Sequence, residues 1–206
     1  MIDAIEAVGI IPILTIADAG HAAFIADSLV EGGVPCAEVT LRTEGGAAAL
    51  ATMAGRGDLL VGAGTVTTVE QVDRVADLGA AFVVSPGLDE AVVERTLARG
   101  MLPLPGIATA SELQRALSLG VSTVKLFPAA LLGGIGLVRA LGGPFPGVRF
   151  IPSGGIRLPD VTDYLMEPNI IAVGCSWLVG STPNRVDITA ESRLAAGAVA
   201  AARVSR

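Results

Sequence analysis

Histidine, cysteine and lysine are nearly absent from this sequence of 206 residues. It contains one histidine, His21, and two cysteines, Cys36 and Cys175. No constellation of metal-ligating residues appears, so a metal-dependent mechanism is not expected. Both cysteines lie in apolar, strand-like runs, which predicts two buried thiols rather than a disulfide. His21 follows Gly20 in a predicted first helical turn, and we interpret it as a surface residue.

Charged residues are also scarce, and no basic stripe is present. They make up 17% of the sequence, against 51% hydrophobic residues, and the formal net charge is -6. This composition excludes a disordered chain. It also disfavours nucleic-acid binding, which requires clustered basic residues. Small molecules are therefore the expected partners, and the length predicts a single domain spanning residues 1–206.

Neither a membrane span nor a secretory signal is indicated. The longest stretch without a charge, residues 168–184, contains two prolines, two asparagines and two glycines, unlike a spanning helix. The first residues include Asp3 and Glu6 but no early lysine or arginine. A secretory signal peptide would begin with a positively charged region. We therefore expect a cytoplasmic protein that does not bind membranes.

The single lysine, Lys125, stands out against thirteen arginines. It lies in the apolar segment TVKLFP, where a solvated cation is not expected. A guanidinium stays protonated, whereas an amine in a dry pocket can lose its proton and attack a carbonyl. The position of Lys125 therefore favours a nucleophilic role.

Short apolar runs alternate with helical patterns along the chain, which indicates a βα repeat. Thr67 with Glu70, and Thr109 with Glu112, fit the capping box that begins a helix. Glycines precede several strands, and a last helix is predicted within residues 184–203. The eight predicted strands are residues 10–14, 37–41, 59–64, 81–85, 102–106, 123–127, 149–153 and 170–174.

These units predict an α/β fold, a (β/α)8 TIM barrel with an extra N-terminal helix. The alternative is an open doubly wound sheet. That alternative is disfavoured because no strand-to-helix turn carries the complete GxGxxG fingerprint. Gly62 and Gly64 supply only its first half.

In a barrel, chemistry is carried at the carboxyl ends of the strands. On the second strand, Glu38, Thr40 and Arg42 share one face because side chains alternate along a strand. Thr65 follows the third strand, and Lys125 lies on the sixth. These positions predict that charged and hydroxyl groups converge at the mouth of the barrel.

The loops after the seventh and eighth strands read PSGGI and GCSW, where this fold often holds a phosphate. Gly154 and Gly155 would let backbone amides approach an anion closely, and Ser176 would add a hydroxyl or an amide. Phe127 shares a strand face with Lys125.

Each of these residues also has a purely structural interpretation. Glu38 could form an internal salt bridge with Arg42 or with Lys125. Thr65 could be a helix cap, Phe127 a core residue, and the glycines ordinary turn residues. The sequence leaves these alternatives open.

Seven motifs, taken in chain order, resemble one known family. They are EVTLRT (38–43), GAGTV (62–66), SPG (85–87), PGIAT with SE (105–112), KLFPA (125–129), PSGGI (152–156) and GCSW (174–177). Together they resemble the KDPG/KHG aldolases, the bacterial 2-keto-3-deoxy-6-phosphogluconate aldolases, from the first strand to the eighth. The resemblance implies a homotrimeric (β/α)8 barrel and a class I aldolase, a lyase that uses a Schiff base and needs no metal or other cofactor.

The resemblance also implies roles for individual residues. Lys125 would form the imine and Glu38 would shuttle protons, while Arg42 and Thr65 would bind the pyruvyl carboxylate. Phe127 and Pro86 would form the wall of the pocket, and the phosphate would lie on Gly154, Gly155 and Ser176.

Three positions depart from the family pattern. Ser153 stands where the family more often has threonine, and this keeps a hydroxyl in the substrate-binding set. Cys175 replaces glycine, and it could crowd the backbone near the phosphate. Ala130 replaces glutamate, outside the residues assigned to chemistry.

The implied reaction is cleavage of 2-dehydro-3-deoxy-6-phosphogluconate to pyruvate and D-glyceraldehyde 3-phosphate, a step of the Entner-Doudoroff pathway. Preference for 4-hydroxy-2-oxoglutarate or for the phosphogalactonate epimer is an alternative, because no motif reports stereochemistry. Another phosphosugar barrel enzyme without an imine is a second alternative. A non-catalytic keto acid sensor is disfavoured, because burying an amine, a carboxylate and a guanidinium together is costly for recognition alone.

Overall fold

The computed structural model describes residues 1–180 and 183–204, in which strands alternate with helices as the sequence predicts. The strands in these residues are β1 (Ile10–Leu14), β2 (Cys36–Thr40), β3 (Leu60–Gly64), β4 (Phe82–Val84), β5 (Leu102–Leu104), β6 (Gly106–Ile107), β7 (Thr123–Leu126), β8 (Arg149–Pro152) and β9 (Val173–Cys175). The α-helices are α1 (Ile2–Val8), α2 (Ala22–Glu31), α3 (Gly46–Ala54), α4 (Val69–Asp77), α5 (Glu90–Ala98), α6 (Ala110–Ser118), α7 (Ile135–Gly142), α8 (Val161–Leu165) and α9 (Arg185–Val204).

The paired strands are parallel and form two groups. Six of them make a sheet in the order β5-β4-β3-β2-β1-β9, and β6-β7-β8 make a second sheet. Single bridges from Phe150 to Ile170 and from Ser153 to Gly174 connect the β8 end of the second sheet to the β9 end of the first. The architecture is therefore α/β, built on a curled, six-stranded parallel sheet.

Two predicted strands differ from those in the structure by more than one residue at an end. The fifth, residues 102–106, is divided at Pro105 into β5 and β6, because proline has no amide hydrogen to donate to a neighbouring strand. β5 pairs with β4, and β6 pairs with β7. The eighth is predicted at residues 170–174, whereas β9 begins at Val173 and Ile170 makes only a single bridge.

Alternate residues along the strands enter two separate apolar clusters. On β1, Ile11 belongs to the smaller cluster, whereas Ile10 and Leu14 belong to the larger one, as the two-residue period of a strand requires. Ile5 of α1 packs into the smaller cluster with side chains from the strands, so the predicted N-terminal helix covers part of the sheet interior. The larger cluster joins the strands to the helices.

Both cysteines are buried and free, which confirms the prediction of two thiols. Cys36 lies in the smaller cluster and Cys175 in the larger one. Burial raises the pKa of the Cys36 thiol to about 12, and it also raises the pKa of Cys175. Both groups therefore remain neutral near pH 7 and act as small apolar side chains.

The helix start predicted at Thr109 is confirmed. The Thr109 hydroxyl accepts a hydrogen bond from the Glu112 amide, and the Glu112 carboxylate accepts one from the Thr109 amide. The predicted last helix corresponds to α9. No helix within residues 1–180 and 183–204 combines the length and apolar character needed to cross a membrane.

The helix start predicted at Thr67 with Glu70 is wrong by one residue. Thr68 is the cap of α4, and its hydroxyl accepts a hydrogen bond from the Gln71 amide. The Gln71 side-chain oxygen in turn accepts from the Thr67 amide. The segment TTVEQ offers two threonines, each followed three residues later by a capping partner, and the extended backbone of Thr68 selects the second.

Candidate active site

A cavity of about 160 Å³ opens at the carboxyl ends of the strands. Its lining is Ile13, Glu38, Arg42, Thr65, Pro86, Lys125, Phe127, Ser153, Gly154, Gly155, Ile156, Gly174 and Ser176. All ten residues that the sequence analysis assigned to a site are among them. Seven of the ten follow a strand end by one or two residues, namely Arg42, Thr65, Pro86, Phe127, Ser153, Gly154 and Ser176. Parallel strands bring these positions together because their carboxyl ends share one edge.

Lys125 and Glu38 form an ion pair in this cavity. Nζ of Lys125 lies 3.5 Å from Oε1 of Glu38, and the two side chains are only 10% and 4% exposed. Nζ also lies 5.3 Å from the ring centroid of Phe127. Glu38 thus pairs with Lys125. A buried ion pair is weak evidence for stability, since desolvation offsets its attraction.

Burial raises the pKa of the Glu38 carboxyl above its ordinary value of 4.5. The positive charges of Lys125 and Arg42 offset part of that rise, because they favour the carboxylate form. A carboxyl whose pKa is raised is more readily protonated, so it can both accept and donate a proton within one reaction cycle. Glu38 therefore suits general acid-base chemistry at the Lys125 amine.

The carboxylate of Glu38 needs a glycine on the neighbouring strand. Gly64, the last residue of β3, pairs with Thr40 in the parallel ladder. A Cβ at position 64 would come within 2.2 Å of Oε1 of Glu38. The second glycine of the GAG motif thus leaves the space that the carboxylate fills.

Arg42 lies two residues beyond β2 and lines the same cavity. Its Nη2 donates a hydrogen bond to Oγ1 of Thr15, at 2.8 Å, in the loop after β1. A guanidinium beside an amine and a carboxylate is suited to hold an anionic group of a ligand whose carbonyl meets the amine.

Thr65 has a left-handed backbone, with φ at 60°, which is uncommon for a residue branched at Cβ. It is not a helix cap, since Thr68 caps the following helix. Strained backbone of this kind concentrates at functional sites. The conformation is consistent with a hydroxyl turned toward the cavity that Thr65 lines.

Gly154 and Gly155 both have positive φ, at 94° and 81°. A Cβ at Gly155 would come within 2.7 Å of the Cβ of Ala130, and one at Gly154 would lie 3.1 Å from the ring of Phe127. These positions therefore require glycine for both conformation and space. Gly154, Gly155 and Ser176 line the same cavity, and backbone without a side chain allows an anion to approach the amides closely.

The Ser153 hydroxyl is buried without a hydrogen-bond partner in the structure. Its residue is 1% exposed, and it lies on the cavity wall. Gly174 leaves room for it, because a Cβ there would come within 2.6 Å of Oγ of Ser153. A buried hydroxyl without a hydrogen-bond partner destabilises the protein. A ligand in the cavity that bonds to it would remove this cost.

Three lining residues were not singled out from the sequence, namely Ile13, Ile156 and Gly174. Strand parity would have indicated Ile13, which shares a face with Ile11, and Gly174, which shares one with Ser176. Ile156 directly follows the glycine pair. Phe127 is 36% exposed, so it is a wall residue of the cavity rather than a core residue.

The concern about Cys175 is not supported by its position. Gly174 and Ser176 face the cavity, whereas Cys175 packs in the larger apolar cluster on the other side of the strand. Strand alternation therefore directs its thiol away from the glycine pair. Ala130 lies against Gly155, outside the cavity lining.

His21 lies outside the cavity lining, near Asp18 and against the ring of Phe24. Its side chain is 44% exposed, in agreement with the interpretation of His21 as a surface residue. Among the residues that the structure describes, no three histidine, cysteine, aspartate or glutamate side chains cluster so that they could hold a metal ion.

The model of the family "KDPG and KHG aldolase" matches residues 1–191. The chain is also 46% identical over 178 residues to the 2-dehydro-3-deoxy-phosphogluconate aldolase of Treponema pallidum, and the match covers 86% of this chain and 85% of that protein.

Two solved structures are similar along nearly the whole chain. The 2-keto-3-deoxy-6-phosphogluconate aldolase of Zymomonas mobilis, crystallised with 3-phosphoglycerate, has a TM-score of 0.91 at 36% identity, over 95% of this chain and 94% of that one. The KDPG aldolase of Legionella pneumophila, with pyruvate captured as a covalent carbinolamine, has a TM-score of 0.85 at 35% identity, over 98% and 97%.

Proposed function

This chain belongs to the KDPG and KHG aldolase family, and from that membership we infer its reaction. It is a class I aldolase, a lyase that cleaves 2-dehydro-3-deoxy-6-phosphogluconate to pyruvate and D-glyceraldehyde 3-phosphate through a Schiff base on Lys125. The observation that carries this inference is the buried pair of Lys125 and Glu38, with Nζ 3.5 Å from Oε1. An amine and a proton acceptor at that distance are what imine chemistry needs.

The two sheets would close into an eight-stranded (β/α)8 barrel, within a single domain of residues 1–206. In support, β5 and β6 are separated only by Pro105, and each pairs with a different neighbouring strand. The single bridges at Ile170 and Gly174 join β9 to the β8 side. A closed barrel would account for the convergence of six strand ends on one cavity.

The reaction begins with attack of the neutral Lys125 amine on the C2 ketone of the keto acid. Glu38 is close enough to take the proton that the amine must lose. The resulting carbinolamine is an intermediate of the kind captured with pyruvate in the Legionella pneumophila enzyme. Glu38 returns its proton to the departing hydroxyl, so water leaves, a protonated imine remains and the carboxylate is ionised again. That cation is the electron sink for the next step.

Glu38 then removes the proton from the C4 hydroxyl. The C3–C4 bond breaks, its electron pair moves into the enamine, and the C4 fragment leaves as glyceraldehyde 3-phosphate. Protonated Glu38 returns its proton to C3, and water hydrolyses the imine to release pyruvate and the free amine. One carboxyl thus serves successive steps, each typically worth about 10²- to 10⁴-fold in rate.

The remaining residues bind and orient the substrate. Arg42 and the Thr65 hydroxyl hold the pyruvyl carboxylate, which turns the ketone toward Lys125. The Ser153 hydroxyl, which is buried without a partner, bonds to the substrate at the base of the cavity. Pro86 and Phe127 form its apolar wall.

The phosphate would bind at the other end of the cavity. Gly154 and Gly155 present backbone amides there, and Ser176 adds a polar group. Both glycines have positive φ, and a Cβ at Gly154 would lie 3.1 Å from the ring of Phe127. The cavity therefore has one anion site near the amine and a second at the glycine pair.

Borohydride reduction in the presence of pyruvate tests the imine. We expect a stable adduct on the peptide that contains Lys125, and because the chain has no other lysine the site is unambiguous. Lys125→Arg keeps a positive charge but cannot form an imine, so it should abolish turnover while the circular dichroism spectrum is retained. An unmodified Lys125, or an active arginine variant, would exclude the Schiff-base mechanism.

The substrate preference is tested by a steady-state assay of pyruvate formation. The family includes aldolases for KHG, which is 4-hydroxy-2-oxoglutarate, as well as for KDPG. This keto acid and the phosphogalactonate epimer are therefore the comparison substrates. We expect the highest kcat/KM with 2-dehydro-3-deoxy-6-phosphogluconate, because the glycine pair offers amides to a phosphate. A higher value with an unphosphorylated keto acid would reassign the substrate.

The proposal includes a cytoplasmic homotrimer, which rests on the family resemblance. Leu131 is 86% exposed and would be covered by such an association. Light scattering should give three times the chain mass of 20.7 kDa. A mass equal to one chain would correct the assembly without affecting the chemistry.

A further inference from the structure

A chain of hydroxyl groups holds the Arg42 guanidinium. Nη2 of Arg42 donates to Oγ1 of Thr15 at 2.8 Å. Oγ1 of Thr15 lies 3.3 Å from Oγ1 of Thr40, and the Thr40 hydroxyl donates to the carbonyl of Leu14 at 3.0 Å. These hydrogen bonds therefore connect Arg42, on the cavity wall, to the backbone of β1.

The direction of each hydrogen bond in this chain is determined by proton count. A hydroxyl has one proton and two lone pairs. Thr40 gives its proton to Leu14, so in its contact with Thr15 it is the acceptor and Thr15 is the donor. Thr15 then has lone pairs left for the guanidinium. Each of the two threonine hydroxyls therefore donates one hydrogen bond, and the Thr15 oxygen accepts the hydrogen bond from Arg42.

The inner end of this hydrogen-bond chain is held by buried residues of two paired strands. Thr40 is fully buried at the end of β2, and Leu14 is buried at the end of β1, where it pairs with Val39. Thr15 itself is exposed and follows β1 directly. The hydrogen bonds thus link Arg42, at the mouth of the cavity, to the paired strands β1 and β2.

We propose that Thr15 is a positioning residue that orients Arg42 for the substrate carboxylate, an inference that rests on the proposed function. Arginine has many rotamers, and a side chain already held in its binding geometry loses less freedom when the substrate arrives. Thr15 acts through the guanidinium and needs no contact with the substrate. Its hydroxyl should therefore affect carboxylate binding and leave the chemistry at Lys125 unchanged.

The two loops concerned are also joined independently of Thr15. The Thr43 hydroxyl donates to the carbonyl of Ile16 at 2.5 Å, and a Cβ at Gly45 would meet the Ala17 carbonyl at 2.3 Å. Removing the Thr15 hydroxyl should leave these contacts intact. Thr43→Val supplies a matched control, since it breaks a hydrogen bond between the same loops that does not involve Arg42.

The test compares Thr15→Val, which keeps the shape and removes the hydroxyl, with Thr15→Ser, which keeps the hydroxyl. For Thr15→Val we expect KM to rise roughly 10-fold, the lower end of the range for one hydrogen bond to a charged group, with kcat within about twofold. Thr15→Ser and Thr43→Val should retain the wild-type KM. A rise in KM with Thr43→Val would assign the effect to loop packing and overturn the proposal.

A second readout isolates the carboxylate. Imine trapping with cyanoborohydride is followed by mass spectrometry at increasing concentrations of pyruvate or of its uncharged methyl ester. Thr15→Val should raise the half-saturating concentration of pyruvate and leave that of the ester unchanged. Equal values in variant and wild type would overturn the role of Thr15 alone, whereas no adduct in the wild type would overturn the proposed function as well.

Discussion

The carboxylate of Glu38 lies against the backbone of Gly64, where a Cβ would come within 2.2 Å of Oε1. The same oxygen lies 3.5 Å from Nζ of Lys125. The glycine therefore helps to fix the distance between the proposed base and the proposed nucleophile.

Gly64→Ala should reduce activity by displacing Glu38. The added methyl would force the carboxylate away from Lys125, and we expect kcat to fall by roughly 10²-fold, since misplaced catalytic groups lose such factors. Gly57→Ala is the control, because nothing lies within 4 Å of a Cβ at that exposed position. Steady-state kinetics of both variants checks this prediction, and a Gly64→Ala enzyme with the control's kcat would contradict it.

The pH dependence of kcat/KM should report the Glu38 carboxyl. Burial raises its pKa above 4.5, and the proposed base must be ionised to accept a proton. Activity should therefore be lost as pH falls through a value above 4.5. In Glu38→Gln the rate should fall by about 10²- to 10⁴-fold and this acid limb should disappear. An unchanged acid limb in that variant would assign the titration to another group.

Gly155→Ala should weaken binding of phosphorylated substrate selectively. A Cβ there would meet that of Ala130 at 2.7 Å, and φ is 81°. We expect KM for the phosphorylated keto acid to rise by about 10-fold or more, the range of a charge-assisted hydrogen bond, with little change for 4-hydroxy-2-oxoglutarate.

Gly120→Ala is the matched control for Gly155→Ala. Its φ of 80° imposes similar backbone strain, but nothing lies within 4 Å of the added Cβ and Gly120 is not among the residues that line the cavity. Both variants should lose roughly 1–2 kcal/mol of unfolding free energy from the left-handed backbone. A rise in KM in both would trace the effect to stability instead of phosphate binding.

Replacing Thr65 should separate stability from activity. At φ 60° a glycine relieves strain that threonine carries. We expect Thr65→Gly to keep or raise the free energy of unfolding, by up to about 1 kcal/mol, while kcat/KM falls because the hydroxyl is lost. Urea denaturation and steady-state kinetics measure the two effects. Thr65→Ser should retain activity, and a destabilised glycine variant would show that the threonine side chain packs favourably.

The sequence predicted the elements and most of the cavity lining because those depend on local rules. The two-residue period assigned Glu38 and Arg42 to one face, and parallel topology implied that their strand ends meet those carrying Thr65 and Lys125. The error at the fifth strand has a different cause, since Pro105 has no amide hydrogen and interrupts the ladder. The Thr67 error arose because adjacent threonines satisfy the same capping pattern.

Contacts between distant segments could not be predicted in this way. The Thr15 hydroxyl meets Arg42 across 27 positions in the chain, and no local pattern reports that distance. Whether Glu38 pairs with Arg42 or with Lys125 was open from the sequence, and so was the direction of the Cys175 thiol. The answer to each question depends on which side chains the folded structure packs together.

The sequence by itself determined a repeating α/β chain with one lysine in an apolar strand and a family-specific set of motifs. The tertiary structure alone decided that this lysine lies 3.5 Å from Glu38, that Gly64 and Gly174 leave space for neighbouring polar groups, and that Thr15 holds Arg42. The reason is physical. Periodicity and propensity act over a few residues, whereas close packing and hydrogen-bond geometry are set by groups that only the folded chain brings together.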